Sequence, residues 1–261
     1  MIAALEVPAA KHDHETPLNT TSASAPAIKM NRHELQFADH YIRTNMECLV
    51  KVKERSKNCF NIMDSVFSLY GLPVELKYLA VIESDLKTSA LSRVGARGPW
   101  QLMPGTARIL GLKVSRHYDE RTSYHKSTRA AAMYLKDLYS EFGDWLLVLA
   151  AYNSGPVPVY RAIHRSGSRN FWALQRFLPA ETRGHVKRFI ATHYYFENQG
   201  SATTLTKAEN LEYAKSVRAF LLAQTASGTT EGIEVNRWKK IPAPIGIGYF
   251  FLPVTKLSIP G

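Results

Sequence analysis

The chain has 261 residues, 45% of them hydrophobic, which is enough apolar material for one or two globular domains. No run of about eighteen apolar residues occurs, so the sequence contains no candidate transmembrane helix. The formal net charge of +11 suits a polyanionic partner, either nucleic acid or an acidic cell wall. Two cysteines, Cys48 and Cys59, exclude a disulfide scaffold; we expect two partly buried thiols, or a local disulfide if the chain is exported.

Residues 1 to about 30 are rich in Ala, Ser, Thr and Pro and show neither a helical nor a strand period. Such a composition buries too little apolar surface to fold, so we expect a disordered tail or tether. The first residues include a short apolar stretch. Glu6 interrupts it and no basic region precedes it, so it is a poor signal peptide.

From about 35 to 198 the pattern is helical nearly throughout. One helix is predicted over 35–55 and a second over 57–69, which Gly71 closes. Pro73 is then expected to open a third helix, because its fixed φ and missing N–H cost nothing in a first turn.

Further elements follow the same logic. Ser127 is the predicted N-cap of a helix with apolar residues at helical spacing. The segment 144–152 is apolar on all sides, which predicts a central buried helix. A helix near 207–224 and a Thr/Ser/Gly linker lead to a segment from 232 onward, where β-prone residues mix with Pro and Gly. The sequence therefore predicts a mainly α fold with a small irregular C-terminal appendage.

The third predicted helix carries a carboxyl group on its apolar face. Glu83 lies seven residues after Leu76, on the stripe that Leu79 also occupies. Burial disfavours the ionised form of a carboxyl group, so such a residue can hold a proton at neutral pH. It can then protonate a leaving oxygen, as cleavage of a glycosidic bond requires. The alternative is a glutamate at the edge of the core that pairs with Arg93, Arg97 or a backbone amide.

The loop after this helix reads SRVGARGPWQLMPGTA and contains three glycines, which permit close backbone approach and positive φ values. Ser92 and Gln101 can bond sugar amides and hydroxyls, and Trp100 and Met103 can pack on a sugar face. A glycine-rich loop is a weak signal by itself, and this one lacks the GK[ST] ending of a phosphate-binding loop.

Three segments, in this order, resemble the signature motifs of one family. They are Glu83-Ser84, GARGPWQLMPGTA at 95–107 and AYNSG at 151–155. These are similar to the motifs of the lytic transglycosylase domain, which shares its fold with goose-type lysozyme. The chain most resembles the membrane-bound lytic murein transglycosylase D branch, over about residues 36–198. The resemblance implies a lysozyme-like helical domain.

The resemblance also implies a reaction. Glu83 would protonate the bond between N-acetylmuramic acid and N-acetylglucosamine, and would then take the proton of the muramic C6 hydroxyl. Attack by that hydroxyl gives a 1,6-anhydro end without water, and the substrate's own acetamido group replaces a second carboxylate. This agrees with the position of Asp85, which points elsewhere around the helix.

Family roles extend to the residues around Glu83. The implied substrate-binding residues are Ser92, Gly95, Gln101, Met103, Tyr152, Asn153, Glu181 and His185. Tyr152 and Asn153 would face Glu83, with the Tyr152 hydroxyl orienting the carboxyl group.

Two positions depart from the family pattern. The usual Gly-Leu-Met-Gln core of the loop is Gly98-Pro99-Trp100-Gln101, which changes the shape of the apolar wall. The family's ETxxYV pattern reads ETRGHV, with His185 in place of tyrosine. We hypothesise that His185 occupies the tyrosine's place in the cleft, where its charge would depend on pH near neutrality.

Alternatives stay open at this stage. Water replaces the C6 hydroxyl as the attacking group in a goose-type lysozyme, and a non-catalytic cell-wall-binding protein retains only the cleft. A nucleic-acid binder is disfavoured because Lys and Arg are scattered over many predicted helices. The absence of an HExxH motif or a Cys/His cluster predicts no metal, and no cofactor is expected.

The expected organisation has three parts. They are a tail or tether over 1–30, a lytic transglycosylase catalytic domain over 31–200 that includes the N-terminal helices, and a helix, linker and appendage over 201–261. We expect a monomer that acts on peptidoglycan glycan strands in the periplasm or cell envelope, with peripheral association to the envelope and no nucleic-acid partner.

Overall fold

The computed structural model describes residues 26–30 and 32–226 of the chain. The α-helices in these residues are α1 (Arg32–Arg55), α2 (Lys57–Tyr70), α3 (Tyr78–Ser84), α4 (Pro104–Ile109), α5 (Tyr124–Phe142), α6 (Trp145–Ser154), α7 (Pro156–Ser166), α8 (Phe171–Leu174), α9 (Ala180–Glu197) and α10 (Lys207–Ala226). Short 3-10 helices lie at Val74–Lys77, Glu120–Thr122, Gln175–Phe177 and Ala202–Thr204.

The described part of the chain contains isolated β-bridges but no β-strand, so the predicted mainly α fold is confirmed. No helix in the same residues combines the length and the apolar character needed to cross a bilayer. The expected tail lies outside the described residues except for 26–30, which form no regular element. The predicted β-prone appendage from 232 onward lies wholly outside them.

The predicted central helix is α6, and it is the most deeply buried element of the fold. Its residues from Leu146 to Ala151 are all fully buried, and it packs against α5, α7 and α9. Asp144 caps its N-terminus, because the carboxylate accepts the backbone N–H of Leu146 at 2.9 Å and of Leu147 at 3.2 Å. The other oxygen of Asp144 accepts the N–H of Lys207, which ties α10 to the start of α6.

The predicted N-cap at Ser127 is wrong. Helix α5 begins at Tyr124, and the side chain of Ser123 accepts the backbone N–H of Lys126. Ser127 is buried one turn inside the helix and donates its hydroxyl to the carbonyl of Ser123. The apolar spacing starts only where the helix reaches the core, one turn after its backbone begins. The sequence pattern therefore placed the start of the helix one turn too late.

The predicted helix from Pro73 is divided into two pieces. Pro73 precedes the 3-10 helix Val74–Lys77, and α3 starts only at Tyr78. Helix α3 ends at Ser84, and Asp85 closes it in the left-handed conformation with φ of 51°. Glu83 therefore lies on the last turn of a short helix, as the sequence indicates.

Both cysteines are free thiols. Cys59 is buried, whereas Cys48 is exposed on α1, which corrects the expectation of partial burial for both. The thiol of Cys48 donates to Oδ1 of Asp85 at 3.3 Å, so it lies at the end of α3.

Replacing Asp144 with alanine tests how α6 is anchored. The variant removes the acceptor of three backbone N–H groups at once, and burial around Asp144 keeps water from replacing it. We expect the free energy of unfolding to fall by about 2–4 kcal/mol, since a lost N-cap and unpaired buried donors each contribute. Urea denaturation followed by circular dichroism measures this. Asp144→Asn keeps one oxygen acceptor and should lose less; equal losses in both variants would contradict the hydrogen-bond explanation.

Candidate active site

Glu83 lies where α3 meets the loop 91–103, and its side chain is 15% exposed. The hydroxyl of Ser84 donates to the carbonyl of Pro99 at 2.9 Å, which fixes the end of α3 to this loop. The backbone beyond the helix is held in the left-handed region at both Asp85 and Leu86. The carboxyl group is therefore presented by backbone that is rigid on both sides.

The partner of the Glu83 carboxyl group is an imidazole. Nε2 of His185, on α9, lies 2.8 Å from Oε1 of Glu83. Oε2 has no protein partner among residues 26–30 and 32–226. The alternative pairing with Arg93 or Arg97 is not present, and the guanidinium of Arg97 lies 3.6 Å from Asp119 instead.

The imidazole of His185 lies behind Glu83, away from solvent, and only 2% of the residue is exposed. The expectation that His185 occupies the tyrosine's place beside Glu83 agrees with this position. The expectation that His185 binds substrate does not agree with this position, because the ring offers almost no surface to a sugar. Its contact is with the carboxyl group itself.

Tyr152 lies at the end of α6, where its phenol also faces Glu83. Burial, followed by the negative charge of Glu83, raises the pKa of the Tyr152 hydroxyl well above its usual value, so it stays a donor. That hydroxyl donates to the backbone carbonyl of Trp100 at 2.7 Å. The expected hydrogen bond from Tyr152 to the carboxyl group is therefore replaced by one that holds the loop, and His185 orients Glu83.

Trp100 belongs to the core and not to a sugar-binding surface. It is fully buried, its Nε1 donates to the hydroxyl of Thr128 at 2.9 Å, and its ring packs edge-on against Phe67. The expectation that Trp100 packs on a sugar face is wrong, because a large ring with a satisfied N–H gains more from burial than from exposure. Met103, by contrast, is 42% exposed at the start of α4.

The loop is closed by backbone and side-chain hydrogen bonds of the predicted polar residues. The hydroxyl of Ser92 accepts the backbone N–H of Ala96 at 2.9 Å. Nε2 of Gln101 donates to the carbonyl of Gly98 at 2.9 Å, and Gln101 itself has a positive φ of 45°. Both side chains hold the backbone of the loop that faces Glu83. From the sequence we expected them only to bind substrate.

Asn153 connects α6 to α9. Its Oδ1 accepts the hydroxyl of Thr182 at 2.9 Å, and Thr182 is buried. Glu181, the neighbouring residue, lies on the exposed side of α9 and is bound by Arg188 at 2.7 Å. The hydrogen bond from Arg188 holds the pKa of the Glu181 carboxyl below its usual range. Glu181 is thus a surface carboxylate at the edge of the site.

Sequence reasoning missed Arg121, which holds the loop together from inside. The guanidinium is 5% exposed and donates from Nη1 to the carbonyls of Gly95 and Leu102 at 2.8 and 2.9 Å. Asp119 accepts one N–H from Nε and one from Nη2, and these hydrogen bonds lower the pKa of its carboxyl group. The only signal in the sequence was two opposite charges two residues apart, which is common in surface segments.

Comparison with known proteins identifies the region that contains this site. Residues 69–175 match the family described as Transglycosylase SLT domain. The match contains Glu83, the loop 91–103 and the end of α6, while His185 lies beyond it on α9.

Relatives of the SLT domain carry consistent names. The chain is 41% identical over 133 residues to the membrane-bound lytic murein transglycosylase D of Escherichia coli strain K12, covering 49% of this chain and 29% of that protein. It is 31% identical over 159 residues to the soluble lytic murein transglycosylase of Salmonella typhimurium, covering 56% of this chain and 24% of that protein. The chain spans less than a third of the length of these curated relatives.

One solved structure shows that the fold extends beyond the SLT domain. The 70 kDa soluble lytic transglycosylase of Escherichia coli aligns with a TM-score of 0.51 at 24% identity, covering 69% of this chain and 33% of that chain. The lysozyme-like helical fold expected from the motifs is therefore confirmed.

Substitution of the loop glycines tests whether the loop is rigid. A Cβ at Gly98 would lie 1.9 Å from the carbonyl oxygen of Arg121, whereas a Cβ at Gly95 would meet nothing within 4 Å. Both glycines have positive φ, so Gly95→Ala reports backbone strain alone, about 1 kcal/mol. Gly98→Ala adds the clash, and we expect it to lower the free energy of unfolding by about 2 kcal/mol more. Thermal and urea unfolding of the two variants measure the difference. Similar losses of unfolding free energy would show that the loop shifts to accommodate the added Cβ.

Proposed function

We propose that this chain is a lytic transglycosylase. It would cleave the β-1,4 bond between N-acetylmuramic acid and N-acetylglucosamine in peptidoglycan and form 1,6-anhydromuramyl ends. Glu83 is the single acid and base. The observation that carries the proposal is the partly buried Glu83 carboxyl group within the residues that match the SLT family, with one oxygen bound to His185 and the other without a partner among the described residues.

The geometry of the carboxyl group supports acid catalysis. Only 15% of the Glu83 side chain is exposed, Oε1 is bound to His185, and Oε2 is the oxygen left to transfer a proton. Once the proton has left, the N–H of His185 stabilises the carboxylate. The same oxygen then takes the proton of the C6 hydroxyl as that hydroxyl attacks.

Within the described part of the chain no second carboxylate contacts Glu83, and this supports the internal attack. Asp85 is turned toward the thiol of Cys48 and the ammonium of Lys87, and Glu181 is bound to Arg188. Neither carboxylate contacts Glu83, which favours a route in which the substrate's acetamido group stabilises the oxocarbenium-like state.

The remaining assignments belong to the same proposal. Ser92, Gly95, Gln101 and Met103 would line the glycan cleft, with Tyr152 and Asn153 on its inner wall and Glu181 at its edge. Residues 31–200 would form the catalytic unit, since α1 packs along α9, which carries His185. The place of action would be the cell envelope, where peptidoglycan lies, and the net charge of +11 suits an acidic wall.

Digestion of purified peptidoglycan tests this function. We expect the wild-type chain to release fragments with anhydro ends, which mass spectrometry distinguishes from reducing ends because they are lighter by one water. Glu83→Gln keeps the shape but cannot donate the proton, and its rate should fall about a thousandfold.

Asp85→Asn is the matched control, because it makes the same chemical change two residues away in a carboxylate turned from Glu83. It should retain turnover. Reducing ends in the wild-type digest would establish a goose-type lysozyme instead. Binding of peptidoglycan without any turnover would establish a wall-binding protein.

A further inference from the structure

The imidazole beside Glu83 is bonded on one side only. Nε2 of His185 meets Oε1 of Glu83 at 2.8 Å. Nδ1 of the same ring is buried and has no hydrogen-bond partner within residues 26–30 and 32–226. A neutral imidazole has one N–H donor and one acceptor nitrogen, whereas an imidazolium has two donors. The two ring nitrogens therefore lie in different environments, and the difference determines which of them carries a proton.

Two protons shared by this pair can be arranged in three ways. In the first, His185 is an imidazolium and Glu83 a carboxylate; in the second, His185 is neutral with its N–H at Nε2, and Oε2 of Glu83 carries the other proton. In the third, Oε1 donates a proton to Nε2 and the neutral ring carries its N–H at Nδ1, where that N–H is buried without an acceptor. The first arrangement places a charged N–H at Nδ1, inside the protein and without an acceptor, which is costly. The second leaves only an unpaired lone pair at Nδ1. The structure favours the second arrangement.

The titratable groups around the pair do not change this outcome. From α6, Tyr152 faces Glu83 but commits its hydroxyl to a backbone carbonyl. From α1, Tyr41 lies against α9 near Arg188. On α9 itself, the Glu181 carboxylate interacts electrostatically with the imidazole, but its oxygen is bound by Arg188. None of these groups provides an acceptor for Nδ1.

We propose that His185 is a positioning residue that stays neutral through the reaction, donates from Nε2 to Oε1, and so directs the catalytic proton to Oε2 of Glu83. This inference rests on the proposed function, and it identifies His185 as the residue that orients Glu83 for the reaction. A tyrosine at this place would offer an O–H that does not ionise near neutral pH. The neutral imidazole supplies the same permanent donor, which replaces the expectation that its charge would follow pH.

The proton balance is simple. The proton on Oε2 passes to the glycosidic oxygen as the bond to the sugar breaks, and Glu83 becomes a carboxylate. Oε2 then takes the proton of the C6 hydroxyl as that oxygen bonds to the anomeric carbon. The imidazole has the same protons before, between and after these steps.

Three substitutions at His185 test the proposal kinetically. Glutamine places an amide N–H near the position of Nε2 and cannot take up a second proton; tyrosine supplies an O–H; phenylalanine fills the space without a donor. We expect His185→Phe to lower kcat about tenfold or more with little change in KM, because a donor to the reacting carboxyl group is lost. Glutamine or tyrosine should restore most of this loss. Any acid limb of the kcat profile should be the same in wild type and in His185→Gln, because the imidazole does not change its charge in the pH range of activity.

Two kinetic results would contradict the proposal. If His185→Gln is as slow as His185→Phe, a permanent donor is not what the site needs. If the acid limb moves or disappears in His185→Gln, the imidazole itself was titrating, and the proposal is overturned. Thermal unfolding shows whether each variant folds, and the tyrosine variant serves if one of the others does not.

A measurement on the wild-type chain needs neither turnover nor a stable variant. Nitrogen NMR of ¹⁵N-histidine-labelled protein distinguishes protonated from unprotonated ring nitrogens. The chain has nine histidines, and the signals that disappear in a His185 variant assign this ring. We expect Nε2 to be protonated and Nδ1 unprotonated at a pH where the enzyme is active. Two protonated nitrogens would overturn the inference even if Glu83→Gln abolishes turnover, so its failure is separable from failure of the proposed function.

Discussion

The hydrogen bond between His185 and Glu83 joins the two ends of the site, because it connects the last turn of α3 to the inner face of α9. Neither group is free to move in response to solvent, since the imidazole is buried and the carboxyl group nearly so. Helix α6 lies beside both groups. Its Tyr152 is close enough to Glu83 for the carboxylate charge to raise the pKa of the phenol, and its Asn153 accepts the hydroxyl of Thr182 on α9. A carboxyl group presented by α3 and bound through Oε1 to α9 needs little reorganisation when Oε2 transfers a proton.

The loop that faces Glu83 is also held by a buried side chain, in this case a guanidinium that bonds backbone carbonyls. A buried guanidinium, Arg121, bonds two carbonyls at opposite ends of the loop, and Asp119 neutralises its charge. The hydroxyls of Ser84 and Tyr152 then attach the loop to α3 and α6 through the carbonyls of Pro99 and Trp100. These hydrogen bonds hold the backbone of an irregular segment at four carbonyls.

The two departures from the family motifs have unequal consequences. Trp100 lies in the core beneath the loop, fully buried, and its indole N–H donates to the hydroxyl of Thr128. His185 changes the immediate environment of the reactive carboxyl group, where tyrosine and histidine differ in how many protons they can hold. The burial of Nδ1 limits that difference.

The sequence by itself determined the helical fold, the buried helix at 144–152 and the position of Glu83 on the apolar face of a helix, because apolar periodicity is a property of neighbouring residues. It misplaced the start of α5 at Ser127, since side-chain periodicity begins only where a helix meets the core. The partners of Glu83, the burial of Trp100 and the function of Arg121 were decided by tertiary structure alone. Each depends on contacts between residues far apart in the chain, 102 positions apart for His185 and Glu83, and the packing of α9 against α3 is what brings that pair together.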